Sequence, residues 1–169
     1  MNQCRIDVEY VRSRVSSLND REKKMVLIID EIYTAQRIEY QNGRVIGLTK
    51  DGKPAKTVLA FMIHSISSKF SDVVFLVAVD TLNTDLLHGY FNQVIQQLHN
   101  IVFIQAVSMD NHAVNRALYL LLSNRSLESS IEHPTVPNER LFLCFDTTHN
   151  LKNVFNNWVS DVISYLMYG

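Results

Sequence analysis

Three aspartates stand where a short apolar run is interrupted or stops. Asp30 falls inside residues 25–33 (MVLIIDEIY), Asp110 follows residues 101–107, and Asp146 follows residues 141–145. A carboxylate within a strand covered on both faces is costly unless it is paired, hydrogen-bonded or bound to a cation, so Asp30 demands an explanation first. If the three runs are neighbouring strands, their ends bring the acids together. Converging carboxylates are hard oxygen ligands suited to Mg2+ or Mn2+. Two such ions about 4 Å apart can activate a water or a 3′-hydroxyl and stabilise the leaving oxygen of a phosphodiester. Carboxylates crowded together without a cation resist ionising. Plainer roles stay open. Asp110 and Asp146 each precede a helical stretch and fit an N-cap, and Asp30 could be satisfied by an arginine or by backbone. Glu31, next in the chain, is expected on the opposite face of the strand in a solvent or structural role.

The other reactive side chains add little. His64, His88, His99 and His133 are scattered, with no pair at metal-ligand spacing, and His112 fits a helix start as well as a ligand. No Ser-His-Asp or Cys-His arrangement can be built, and there is no P-loop or GxGxxG. Asn42-Gly43 and Asp51-Gly52 read as turns, not phosphate cradles.

The elements that must position the acids follow from periodicity. Residues 5–19 have rough helical spacing, and residues 25–33 carry apolar side chains on both alternating faces, as in a central strand covered on both sides. Asn42-Gly43 between residues 37–40 and 44–48 is a strong hairpin signal. Strands are expected at 58–66, 73–79, 101–107 and 141–145, and helices around 84–99, 113–122 and 149–158. Leu86, Leu87, Tyr90, Phe91, Val94, Ile95 and Leu98 make one face of the first of these helices, with Asn83 or Thr84 as its cap. Residues 124–138, rich in Ser, Asn and Pro, read as a loop. Meandering strands come first and αβ alternation follows, which predicts a mixed sheet, antiparallel early and parallel late.

Composition sets outer bounds. The 169 residues are 47% hydrophobic and 20% charged, as expected for one globular domain. No apolar run approaches membrane-spanning length, residues 1–10 lack the apolar run of a signal peptide, and no membrane partner is expected. Cys4 and Cys144 have no paired spacing, which points away from a zinc knuckle or a disulfide framework. The net charge of −1 lacks the basic excess usual in proteins that grip DNA alone. Nucleic-acid affinity must then be local, metal-assisted, or supplied elsewhere.

The stretches IIDEI (28–32), RIEYQNGRVIGL (37–48), VLAFMIHSI (58–66), SMDNHAVNRALY (108–119) and FDTTHNLKNVFNN (145–157) resemble, in order and spacing, the P-element transposases and their THAP-domain relatives. The match covers nearly all of residues 25–158. Asp30 falls on the family's first catalytic Asp. Asp110 and Asn115 fit the motif of the second acid, with Asn111 where Gly is usual. Asp146, His149 and Lys152 keep the spacing of a later signature whose two prolines are here Thr147 and Thr148.

The resemblance implies an α/β, ribonuclease-H-like mixed sheet flanked by helices and incomplete at the C-terminus. It divides the chain into a lead-in (1–24), the first part of the core (25–145), and a segment leading toward a GTP-binding insertion (146–169). It further implies a DDE-type transposase acting in the nucleus. Asp30 and Asp110 would hold Mg2+ or Mn2+, with transposon-end and target DNA as partners. GTP and a possible homo-oligomer belong to the full-length protein. The third acid of that family is a late Glu. No Glu follows Glu139 here, so this chain alone is expected to be inactive. A domesticated or decayed derivative, acting as a DNA- or protein-binding module, is the alternative. A self-sufficient nuclease would need Asp146 as the third ligand.

Overall fold

The computed structural model describes residues 6–126 and 128–168. In chain order it contains α1 (Val8–Arg14), β1 (Lys24–Tyr33), β2 (Glu39–Gln41), β3 (Arg44–Ile46), β4 (Thr57–Ser65), β5 (Ser71–Val79), α2 (Thr84–Leu98), β6 (Phe103–Met109), α3 (Ala113–Leu122), β7 (Ser130–Glu132), β8 (Arg140–Phe145) and α4 (Thr147–Tyr168). Six strands form one sheet in the order β5-β4-β1-β6-β8-β7, and β2-β3 form a separate two-stranded sheet. The expected division holds. β1, β4 and β5 pair antiparallel, while β6 lies parallel to β1 and β8 parallel to β6.

One face of the sheet is a packed core. Met25, Leu27 and Ile29 of β1, Leu59, Phe61 and Ile63 of β4, Val107 and Met109 of β6, and Leu141 of β8 are all buried. Against them lie Leu87, Phe91, Val94, Ile95 and Leu98, the expected apolar face of α2, capped by Asn83, which accepts from the Leu86 N–H at 2.8 Å. Fully burying each such side chain stabilises the fold by roughly 1.5–3 kcal/mol. α1 adds Val11 and Val15 to the same core. From α3, Tyr119 places its hydroxyl 2.7 Å from the Cys144 carbonyl and 3.0 Å from that of Val107, tying the helix to β8 and β6.

The opposite face is different, and here an expectation fails. The apolar pattern of β1 predicts cover on both sides, but Val26 and Ile28 are only partly buried and Asp30 is exposed. The same side of the sheet carries Leu76 on β5 and Phe142 on β8, both exposed. Alternating apolar residues show that a strand is apolar on both faces; they do not show that a second layer lies on top. Smaller differences concern element ends. α1 is shorter than residues 5–19, α4 runs past 158, and the loop at 124–138 contains β7. Cys4 lies outside the described residues, and Cys144 is free and exposed.

Candidate active site

The register places the three aspartates in one row. Ile29 pairs with Met109 across β1 and β6, and Met109 with Phe145 across β6 and β8. Asp30, Asp110 and Asp146 each follow one residue later, on the uncovered face, and the Asp146 N–H donates to the Met109 carbonyl at 2.8 Å. Neighbouring strands lie ~4.8 Å apart, so Asp30 and Asp110 are immediate neighbours and Asp146 stands one strand further. All three line a cleft of about 100 Å³ with His149, Ile28 and Ser108.

The three carboxylates are held differently. One oxygen of Asp110 accepts from the His112 N–H at 3.0 Å and from the Asn115 side-chain amide at 2.7 Å. Asn115 is itself buried, at 5% exposure. His112, not Asp110, occupies the N-cap position of α3 and makes no side-chain cap bond. Asp146 does act as a cap. One oxygen accepts from the Thr148 N–H at 2.8 Å and the His149 N–H at 3.3 Å, and the other lies 3.5 Å from His149 Nδ1. The Thr148 N–H above all holds this carboxyl below its ordinary range, with His149 adding to the effect. The two cap readings therefore part: Asp146 caps a helix and Asp110 does not.

Asp30 accepts from the Glu31 N–H at 2.8 Å. Its exposure removes the desolvation argument made for it, and what singles it out is its place in the row. Glu31 does lie on the opposite face, but it is half-buried. Burial pushes its carboxyl upward, Asp110 and Asp30 push the same way, and His112 opposes. Lys152 is exposed and does not line the cleft.

Metal fit can be judged from the donors. In Asp30 and Asp110 the hydrogen bonds fall on one oxygen, and the second takes none of them. Two hard oxygens side by side suit a hydrated Mg2+ or Mn2+ in donor type. Among the described residues, no group of three His, Cys, Asp or Glu side chains could hold a metal ion by itself. No described helix is long and apolar enough to cross a membrane.

The family described as TNP-like, RNase H N-terminal domain, matches residues 8–123. No curated protein sequence matches the chain. Among solved structures, the Drosophila P element transposase strand transfer complex superposes with a TM-score of 0.73 at 23% identity, over 92% of this chain and 34% of that one. The likeness establishes the RNase-H-like fold, and the chain spans about a third of that relative's length.

Proposed function

The chain belongs to the TNP-like family as its RNase H N-terminal domain, and from that membership we propose that it forms the first part of a transposase core that cuts and joins DNA phosphodiesters. The observation that carries this reading is the row of acids across three parallel strands, Asp30 within β1 and Asp110 and Asp146 just past the ends of β6 and β8. Asp30 and Asp110 are the residues that would hold Mg2+ or Mn2+. The bound ion supplies charge neutralisation at the phosphodiester and a more acidic nucleophile. Asn115 and the His112 N–H keep the Asp110 carboxylate in one orientation, as supporting groups do around metal ligands. Asp146 and His149 form the far wall of the cleft, where the Asp146 carboxylate is already engaged as a cap. The structural relative is a transposase strand transfer complex, and likeness to it supports DNA as the substrate.

Two carboxylates leave the coordination shell mostly water, so binding to this chain is weak, ~0.1–1 mM. The test is a Mn2+ titration followed by electron paramagnetic resonance. Asp30→Asn and Asp110→Asn should each abolish binding, and Asp146→Asn should leave it nearly unchanged. A micromolar site, or one untouched by Asp30→Asn, would sink the assignment. The chain alone should not nick DNA. In a longer parent protein, Asp30→Ala should abolish cleavage while leaving DNA binding nearly intact.

A further inference from the structure

The acids leave residues 33–56 unexplained. This segment is tightly built at its base. Asn42 and Gly43 both have positive φ, 52° and 78°, as a two-residue hairpin turn requires. Gly47 has φ 91°, and a Cβ there would lie 2.0 Å from the Arg37 carbonyl oxygen, so only glycine fits. The Ala55 N–H donates to the Gly47 carbonyl at 2.8 Å, and the Thr34 N–H to that of Lys56 at 2.9 Å. Yet every residue from 32 to 46 is exposed. A pinned hairpin that buries no side chain between residues 33 and 46 is not serving the core there.

Its charge is also unlike that of the chain. Residues 33–56 carry Arg37, Arg44, Lys50, Lys53 and Lys56 against Glu39 and Asp51, in a protein of net charge −1. Lys56 pairs with Asp80 at 2.7 Å and Lys53 lies close to the same acid. Arg37 has only an exposed Glu39 at 3.5 Å, a weak tie. Lys50 lines a groove with Asp80 and Asp85 beside α2, so Arg37 and Arg44 remain for a partner on the acids' side. Tyr33 and Tyr40, 79% and 76% exposed, are the most exposed aromatics among the described residues.

Residues 41–48 of the hairpin border the acids' side of the sheet, whereas Thr49, Lys50, Asp51 and Lys53 line a groove with Asp85, Leu86 and Tyr90 of α2 on the packed side. Gln41, Arg44, Ile46 and Leu48 line a groove with Ala78 of β5. In register, Asp30 pairs with Ala60 and Ala60 with Leu76, while Ile32 pairs with Val58 and Val58 with Ala78. Ala78 thus belongs to the row next to that of Asp30, two strands across and two residues along, roughly 12 Å away.

We propose that the 33–56 hairpin is a DNA-strand clamp. Arg37 and Arg44 hold backbone phosphates beside the one that reaches Asp30 and Asp110, and Tyr40 packs on a sugar or base, the pairing of cations with stacking aromatics that suits nucleic-acid strands. The proposal rests on the reading of the acids as a phosphodiester site.

Fluorescence anisotropy with labelled single-stranded and duplex DNA, at low salt and with a chelator, tests it without catalysis. Arg37→Ala/Arg44→Ala should weaken binding about tenfold and reduce the slope of log affinity against log salt by about 2, one per cation. Tyr40→Ala should weaken single-strand binding several-fold. Arg12→Ala/Lys69→Ala, away from the hairpin, should change little. All these side chains are exposed, so melting temperatures should not move. DNA binding that ignores the hairpin changes overturns the clamp and leaves the acids' reading standing. So does a chain that ignores DNA but still binds Mn2+ through Asp30. A chain that binds neither overturns both. Hairpin variants that dissociate a dimer with DNA affinity unchanged overturn the clamp in favour of a protein interface.

Discussion

Asn115 is the buried residue most directly tied to the site, because its amide holds Asp110 at 2.7 Å. Asn115→Ala removes a hydrogen bond to a charged group, worth about 1.5–3 kcal/mol when desolvated, but Asp110 is only partly buried and water can replace the amide. A loss near 1 kcal/mol is expected, read as a drop of about 3 °C in melting temperature. Mn2+ affinity should fall further than that loss explains. The expected loss of stability with metal binding unchanged would make Asn115 a core residue only. His133 offers a pH test. Its Nε2 lies 3.0 Å from the Ile104 carbonyl, and its Nδ1 accepts from the Thr135 and Val136 N–H groups at 3.2 Å each. Both ring nitrogens are thus used by the neutral form, and burial pushes its pKa below the ordinary 6.5. A folded pKa below the unfolded one means that this contribution is fully present above pH 6.5 and is lost as pH falls through 6.5 toward the folded value. Urea midpoints across that window should fall with acidity, and His133→Gln should flatten the trend. Neither contact was visible beforehand. The sequence marked Asp30 by its place inside an apolar run and Asp110 by its place after one, but it assigned Asp30 a burial that it lacks.

Elements were legible where local chemistry decides them. Asn42-Gly43 called for a turn, and Asn83 for a helix start, because each works through its own backbone. β7 was missed because a three-residue strand at a sheet edge, pairing Ile131 with Leu141, has too little length for periodicity to show. At this scale Asp146 separates capping from metal binding. Asp146→Ala should cost about 1 kcal/mol and speed hydrogen exchange at the first turn of α4, where the Thr148 and His149 N–H groups lose their acceptor. Asp146→Asn keeps the cap and should restore protection. If Asn also eliminates DNA nicking in a longer parent protein, Asp146 has a metal role beyond the cap. Gly47→Ala tests the hairpin's base. With positive φ and the Arg37 carbonyl in the way, the change should cost more than about 1 kcal/mol and reach DNA binding through a displaced hairpin.

For the molecule as a whole, the sheet divides into a packed face and an uncovered one, and the acids belong to the second. Asp30 owes its exposure, and Asp110 and Asp146 their partial exposure, to the same openness that leaves Leu76 53% and Phe142 44% exposed. Along α4, Leu151, Val154, Phe155 and Trp158 recur at helical spacing and are also exposed. Apolar surface gathered this way is larger than scattered surface residues account for and promotes association. Two consequences differ in sign from those of a buried core. Replacing a covered leucine with lysine would cost several kcal/mol, because the charge must be desolvated. At Leu76 the side chain already meets water, so Leu76→Lys should change unfolding free energy by less than about 0.5 kcal/mol. It should also reduce concentration-dependent association in sedimentation experiments, and Phe142→Lys should do the same from the other side of the acid row. Leu59→Ala, on the packed face, is the contrast and should cost about 2–5 kcal/mol. If Leu76→Lys instead destabilises the chain by several kcal/mol, this face is covered in solution. The acids would then lie beneath a second layer, and the exposure of Asp30 would no longer hold.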